Sequence, residues 1–171
     1  MTNQTKSNQV PTSNITVKRT VTHSTFTIER VYEATPARVF AAWARPESKA
    51  RWFSGPDEWG TSEFAMDFRV GGCERISGGP KQGPTHHFDG YYQDIVPNER
   101  IIYSYEMHLD ETRISVSLAT VELLAEGKST RLIFTEQGAF LDGYDIPAER
   151  ERGTRDMLDA LAAELAAFPN G

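Results

Sequence analysis

Between Thr61 and Gly138 the sequence passes through six segments rich in β-branched and aromatic residues: TSEFAMDFRV, GCERISG, HHFDGYYQDIV, RIIYSYEMHL, RISVSLATVELLA and STRLIFTEQG. Turn chemistry separates each from the next, at Gly71-Gly72, Gly78 to Thr85, Pro97-Asn98, Asp110-Glu111 and Glu126-Gly127. Short separators of this kind join antiparallel neighbours, because a parallel pair needs a crossover of about a dozen residues or more. The feature constrains the fold severely: the middle of the chain must be a run of hairpins in one antiparallel sheet.

A seventh strand precedes the run. Residues 25–33 (TFTIERVYE) alternate apolar and polar positions, the period of a strand. The period then changes in ATPARVFAAWARPESKARWF, where Thr35 can cap, Pro36 suits the first helical turn, and Val39, Phe40 and Trp43 share a helical face. Pro46 ends that helix and opens a second that carries Trp52 and Phe53 at its end. After the sheet, residues 147–168 form a long helix whose Leu158, Leu161, Leu165 and Phe168 make one apolar stripe. A seven-stranded antiparallel sheet has one apolar face to cover, and a 20-residue helix of about 30 Å can lie across it if the sheet curls. One helix does not fill such a concavity, so a space for a ligand is expected between helix and sheet.

Composition excludes several function classes. The 171 residues are 39% hydrophobic and 25% charged, and no apolar run approaches the roughly 20 residues of a membrane span. The start MTNQTKSNQV has no apolar stretch behind a basic segment, and Cys73 is the lone cysteine, so a soluble cytoplasmic protein without disulfides is expected. Residues 1–24 contain Lys6, Lys18 and Arg19 and no acid, so of the net charge of −6 the remaining residues carry −9. A body this acidic does not suit nucleic acid, which demands clustered Lys and Arg. Fourteen of those first 24 residues are Ser, Thr, Asn or Gln, which reads as a disordered tail ahead of a single domain over 25–168.

The order of elements, with ARVFAAWARPESKARWF, DFRVGGCERI, GYYQDIVPNERIIYSY, STRLIFTE and GTRDMLDALAAEL, resembles the START-like (SRPBCC) helix-grip superfamily. Within it the chain is similar to the bacterial branch related to the C-terminal domain of the activator of the heat-shock chaperone ATPase. The resemblance covers residues 25–168 and implies an α+β helix-grip fold. It also implies one of several activities known in the superfamily: carriage of a lipid, polyketide or aromatic ligand, cyclase or hydrolase catalysis, or activation of a chaperone in the stress response. In relatives the glycine matching Gly153 is often followed by tryptophan; Thr154 stands there in this chain, so the roof of the pocket is expected to differ.

On the second strand of the Pro97-Asn98 hairpin, Ile101, Tyr103, Tyr105 and Met107 share the inward face. On the first strand a bulge would be needed to bring both Tyr92 and Ile95 inside, and the resemblance favours Tyr92 inward. His86 and His87 are adjacent on a strand, point to opposite faces and cannot share a metal ion, so no metal or other cofactor is expected. SGGPKQG lacks the Lys-Ser/Thr pair of a phosphate loop and reads as a loop at the cavity rim. Asp67, Asp89, Asp94 and Glu106 read as a solvated strand face.

The expected function is therefore non-catalytic binding of a small hydrophobic molecule, as carrier or sensor. The expected contacts are Phe64, Met66, Phe68, Tyr92, Tyr103, Tyr105 and Met157, with Trp52 at an entrance or in the core and His87 as a polar anchor. The alternatives are an enzyme using an inward titratable group in the same cavity, and an interaction domain with a chaperone partner.

Overall fold

The computed structural model describes residues 18–56 and 58–169. Along the chain lie β1 (Val21–Tyr32), α1 (Pro36–Ala44), α2 (Pro46–Trp52), β2 (Gly60–Met66), β3 (Cys73–Gly79), β4 (His86–Val96), β5 (Arg100–Leu109), β6 (Thr112–Glu126), β7 (Ser129–Leu141) and α3 (Pro147–Ala167). The seven strands make one antiparallel sheet in the order β1-β7-β6-β5-β4-β3-β2. Strands β2 to β7 are thus the expected chain of hairpins, and β1 pairs with β7 along its whole length. This is the α+β helix-grip architecture, a curved sheet closed by a long C-terminal helix.

Local chemistry accounts for the boundaries. Thr35, with extended backbone, caps α1 by accepting the Arg38 N–H at 3.4 Å, and Pro36 occupies the first turn. At the β4–β5 hairpin the Glu99 N–H donates to the Val96 carbonyl at 3.0 Å, and Asn98 takes φ 65°, where a residue with a short polar side chain is tolerated. The ladder between β4 and β5 slips by one residue between Tyr92 and Asp94. That bulge turns Tyr92 inward and still leaves Ile95 packed against the core, while Tyr91 points out.

Two expectations change at the chain ends. Val21–Ser24, placed by composition in the tail, open β1 and pair with Leu141–Gly138. Pairing at a sheet edge needs backbone N–H and C=O groups and no apolar side chains, so polarity concealed it. Residues 1–17 of the expected tail lie outside the described residues. At the other end Leu158, Leu161 and Leu165 are buried as expected, but Phe168 lies beyond α3, half exposed, with the Arg51 guanidinium 4.3 Å from its ring centre.

What positions the site is the division of the concave face. The α1–α2 pair fills part of it, with α1 packed on β6 and β7, and Trp43, Val39 and Trp52 fully enclosed. Helix α3 packs on β1, α1 and α2, where the Tyr32 hydroxyl donates to the Leu158 carbonyl at 2.9 Å. The gap lies between the first half of α3, the segment from the end of α2 to the start of β2, and strands β3, β4, β5 and β7. No described helix is long and apolar enough to cross a membrane.

Candidate functional site

The gap is a cavity of about 230 Å³. Its floor is the inward register of the sheet: Ile76 from β3, Phe88 from β4, Tyr103, Tyr105 and Met107 from β5, and Phe134 and Glu136 from β7. Arg150, Gly153, Thr154 and Met157 of α3 form the roof, and Phe53, Trp59 and Thr61 one side. Ser54, Gly55, Gly60, Thr61 and Gly153 are exposed, so the cavity opens to solvent beside the start of β2.

The floor is aromatic by construction. Phe88 and Tyr105 stack with ring centres 4.8 Å apart, and Tyr103 lies 5.8 Å from Tyr105. Gly90, opposite Tyr105 in the ladder, makes the stack possible: a Cβ there would come within 2.8 Å of the Phe88 ring. In the roof, a Cβ added at Gly153 would meet nothing within 4 Å. Beside it Thr154 is buried, with its hydroxyl turned back to the Arg150 carbonyl at 3.0 Å. At the mouth the Trp59 ring lies over His86, centres 4.3 Å apart.

One end of the wall is polar. Glu136 is buried, and its Oε1 accepts from the Tyr105 hydroxyl at 2.7 Å, the Ser117 hydroxyl at 2.9 Å and Arg150 Nη1 at 3.2 Å. Arg150 also donates to the Tyr105 hydroxyl (2.8 Å), to Ser115 (2.7 Å) and to Asp145. Burial keeps the Tyr105 hydroxyl well above its ordinary pKa, so it stays protonated and donates. The His86 imidazole is pushed below its ordinary value by burial, against the pull of Asp145 and Asp110.

A second polar cluster sits behind the aromatic wall and outside the cavity. Lys49 has no exposed surface; its ammonium lies 2.6 Å from Glu74 Oε2 and 3.3 Å from the Tyr92 hydroxyl, which itself donates to Glu74. The rings of Phe53 (4.5 Å) and Trp43 (5.1 Å) flank the charge.

Of the residues singled out from sequence, Tyr103, Tyr105 and Met157 meet in the cavity. The other six do not line it. Trp52 is core, its indole N–H donating to the Ala42 carbonyl at 2.9 Å. Tyr92 belongs to the Lys49–Glu74 cluster, and Phe68 packs on Tyr92 and Phe40. Phe64 and Met66, half-buried on β2, lie opposite Ile76 and Glu74, beyond the cavity's edge. For these five the reason is common: α1–α2 occupies that part of the concavity, which the reading from sequence left to α3 alone. His87 loses its place to His86, because strand alternation gives His86 the parity of Phe88 and Tyr92. Asp67, Asp89, Asp94 and Glu106 each pair with an arginine, Arg69, Arg75, Arg100 and Arg113 respectively, at the surface.

Sequence reasoning missed Glu136 and Arg150, although both carried a signal. Glu136 continues the inward alternation of Leu132 and Phe134, and Arg150 precedes Thr154, Leu158 and Leu161 on the buried face of α3. Among the described residues, no three His, Cys, Asp or Glu side chains are grouped to hold a metal ion.

Residues 33–166 match the model of the family described as activator of Hsp90 ATPase homolog 1-like protein. The chain belongs to that family. A structure from Rhizobium leguminosarum shares 48% identity over 88% of this chain and 99% of its own, with a TM-score of 0.84. Another, from Rhizobium loti, shares 50% over 85% and 99%, with a TM-score of 0.79. A protein from Chromobacterium violaceum shares 28% over 81% and 94%, with a TM-score of 0.71. No curated protein matches the chain.

Proposed function

We propose that the protein binds a small hydrophobic, ring-containing molecule between α3 and the sheet, and acts as a carrier or sensor without altering it. The observation that carries this reading is the cavity itself: about 230 Å³, floored by Phe88, Tyr103 and Tyr105 and open at one side. Cavities of about 150 Å³ already accept benzene, so one or two rings fit here. The fixed polar group Tyr105–Glu136–Arg150 at one end supplies orientation, as convergent polar groups do in apolar sites.

A thermal-shift screen with small apolar ring compounds tests the reading. A ligand at a hundred times its Kd adds about 2.7 kcal/mol of stability and a rise in Tm. Thr154→Trp, which puts a large side chain into the roof, abolishes that rise while the variant remains folded. A library that leaves Tm unmoved, or moves it equally in both proteins, contradicts it.

The enzymatic alternative rests on Glu136 and His86, both at the cavity wall. Recovery of the bound compound distinguishes the two: a carrier returns it unchanged, an enzyme returns a product. Co-purification of a chaperone with the protein in place of a small molecule would favour an interaction domain.

A further inference from the structure

Three tyrosines face inward from the β4–β5 hairpin, and two have partners for their hydroxyls: Tyr92 donates to Glu74 and Tyr105 to Glu136. The third, Tyr103, is 3% exposed and donates to no described residue. The described polar side-chain atoms that are sealed away without a partner are Arg38 Nε, Trp43 Nε1, Glu74 Oε1 and Glu136 Oε2. The Tyr103 oxygen is not among them; with the residue so deeply buried and lining the cavity, that oxygen opens on cavity space. A hydroxyl that donates to no protein group and faces the cavity is left free to donate to an acceptor on a ligand.

The charges around it narrow what that ligand is. Among the described residues lining the cavity Arg150 is the one permanent cation, and two carboxylates, Glu136 and Asp145, together with Tyr105 and Ser115, already occupy its guanidinium. Lys49, behind the wall 5.7 Å from the Tyr103 ring centre, is held by Glu74. Glu136 keeps one oxygen unpartnered. An anion entering here finds no free cation and a carboxylate beside it, whereas a neutral compound meets no such repulsion.

We propose that the ligand is an uncharged compound of one or two rings bearing a hydrogen-bond acceptor, a carbonyl oxygen in the simplest case, that takes the Tyr103 O–H, and that the site rejects the corresponding carboxylate. Burial, reinforced by Tyr105 and Glu136, holds the Tyr103 hydroxyl well above its ordinary pKa, so it is a donor at any physiological pH. The inference rests on the ligand-binding reading above and goes further by assigning the chemistry of the ligand's polar end.

The test uses matched probes of nearly equal shape: 2-acetylnaphthalene, 2-isopropylnaphthalene and 2-naphthoate, in parallel with acetophenone, cumene and benzoate. Affinities are measured by calorimetry at neutral pH on the full chain and on Tyr103→Phe. Expected is a ketone that binds about 3- to 10-fold tighter than its hydrocarbon, the range of one neutral hydrogen bond, and a carboxylate weaker by on the order of 100-fold from a like charge left unpaired. In Tyr103→Phe the advantage of the ketone disappears while the hydrocarbon keeps its affinity, which also certifies the fold. Equal binding of ketone and hydrocarbon to the wild-type protein, or a carboxylate that binds as well as the ketone, overturns the inference and leaves the binding function standing. Failure of all six probes counts against both. The wild-type ranking decides the matter even where the variant does not fold.

Discussion

Lys49 carries its ammonium where water does not reach, between Glu74 and the rings of Phe53 and Trp43. Burial pushes the amine below its ordinary pKa, and Glu74 opposes the shift. An interior ion pair of this kind adds little net stability, but removal of one partner strands the other. Lys49→Met is expected to cost about 3–5 kcal/mol in urea denaturation, and Lys49→Met with Glu74→Leu much less than the two single costs added together. At the mouth, His86 sets a pH dependence. Its folded pKa is lowered from 6.5, so as pH falls the unfolded chain takes up the proton first. The stability contributed by neutral His86 is complete above about pH 6.5 and is lost as pH falls from there toward the folded value. His86→Gln should flatten the curve of Tm against pH in that window; an unchanged curve would show that His86 does not control it. The groups acting on His86 are Asp145, Asp110 and His87, and Trp59 lies against its ring.

Helix α3 carries a glycine in its second turn, at the edge of the cavity mouth. Gly153 has no positive φ, and a Cβ there meets open space. Gly153→Ala is therefore expected to stabilise the protein by about 0.5–1 kcal/mol, read as a higher denaturation midpoint with unchanged slope. Loss of stability would mean that the backbone at this position is not free to accept a side chain. The elements were largely legible because their signals are local: Thr35-Pro36 for the start of α1, Pro97-Asn98 for the hairpin, and the demand for a bulge near Gln93 if both Tyr92 and Ile95 were to pack inward. The site was legible only in part. Tyr103, Tyr105 and Met157 follow from alternation and helical periodicity. Trp52, Phe64, Met66, Phe68 and Tyr92 also face the interior, but which interior residues meet a void depends on where α1–α2 lies over the sheet, and no local pattern encodes that. Glu136 and Arg150 were hidden for another reason: a charged residue is read as solvated by default, and only their position on inward faces marks them as a pair.

Among the described residues, a small hydrophobic compound meets the cavity on one face of the sheet and, on the convex face, the exposed Tyr91, Val116 and Leu118. On the concave side the α1–α2 pair covers the part nearest Tyr92 and Lys49, and α3 closes over the remainder without filling it. The central claim is that the remaining space receives the ligand. Titration of ¹⁵N-labelled protein with 2-acetylnaphthalene tests it most directly. Saturable shifts at the amides of Gly60, Gly78, Met107, Gly153 and Thr154, with Tyr91, Val116 and Leu118 unmoved, are the predicted result. Shifts confined to Tyr91, Val116 and Leu118, or a spectrum that does not change, would contradict it.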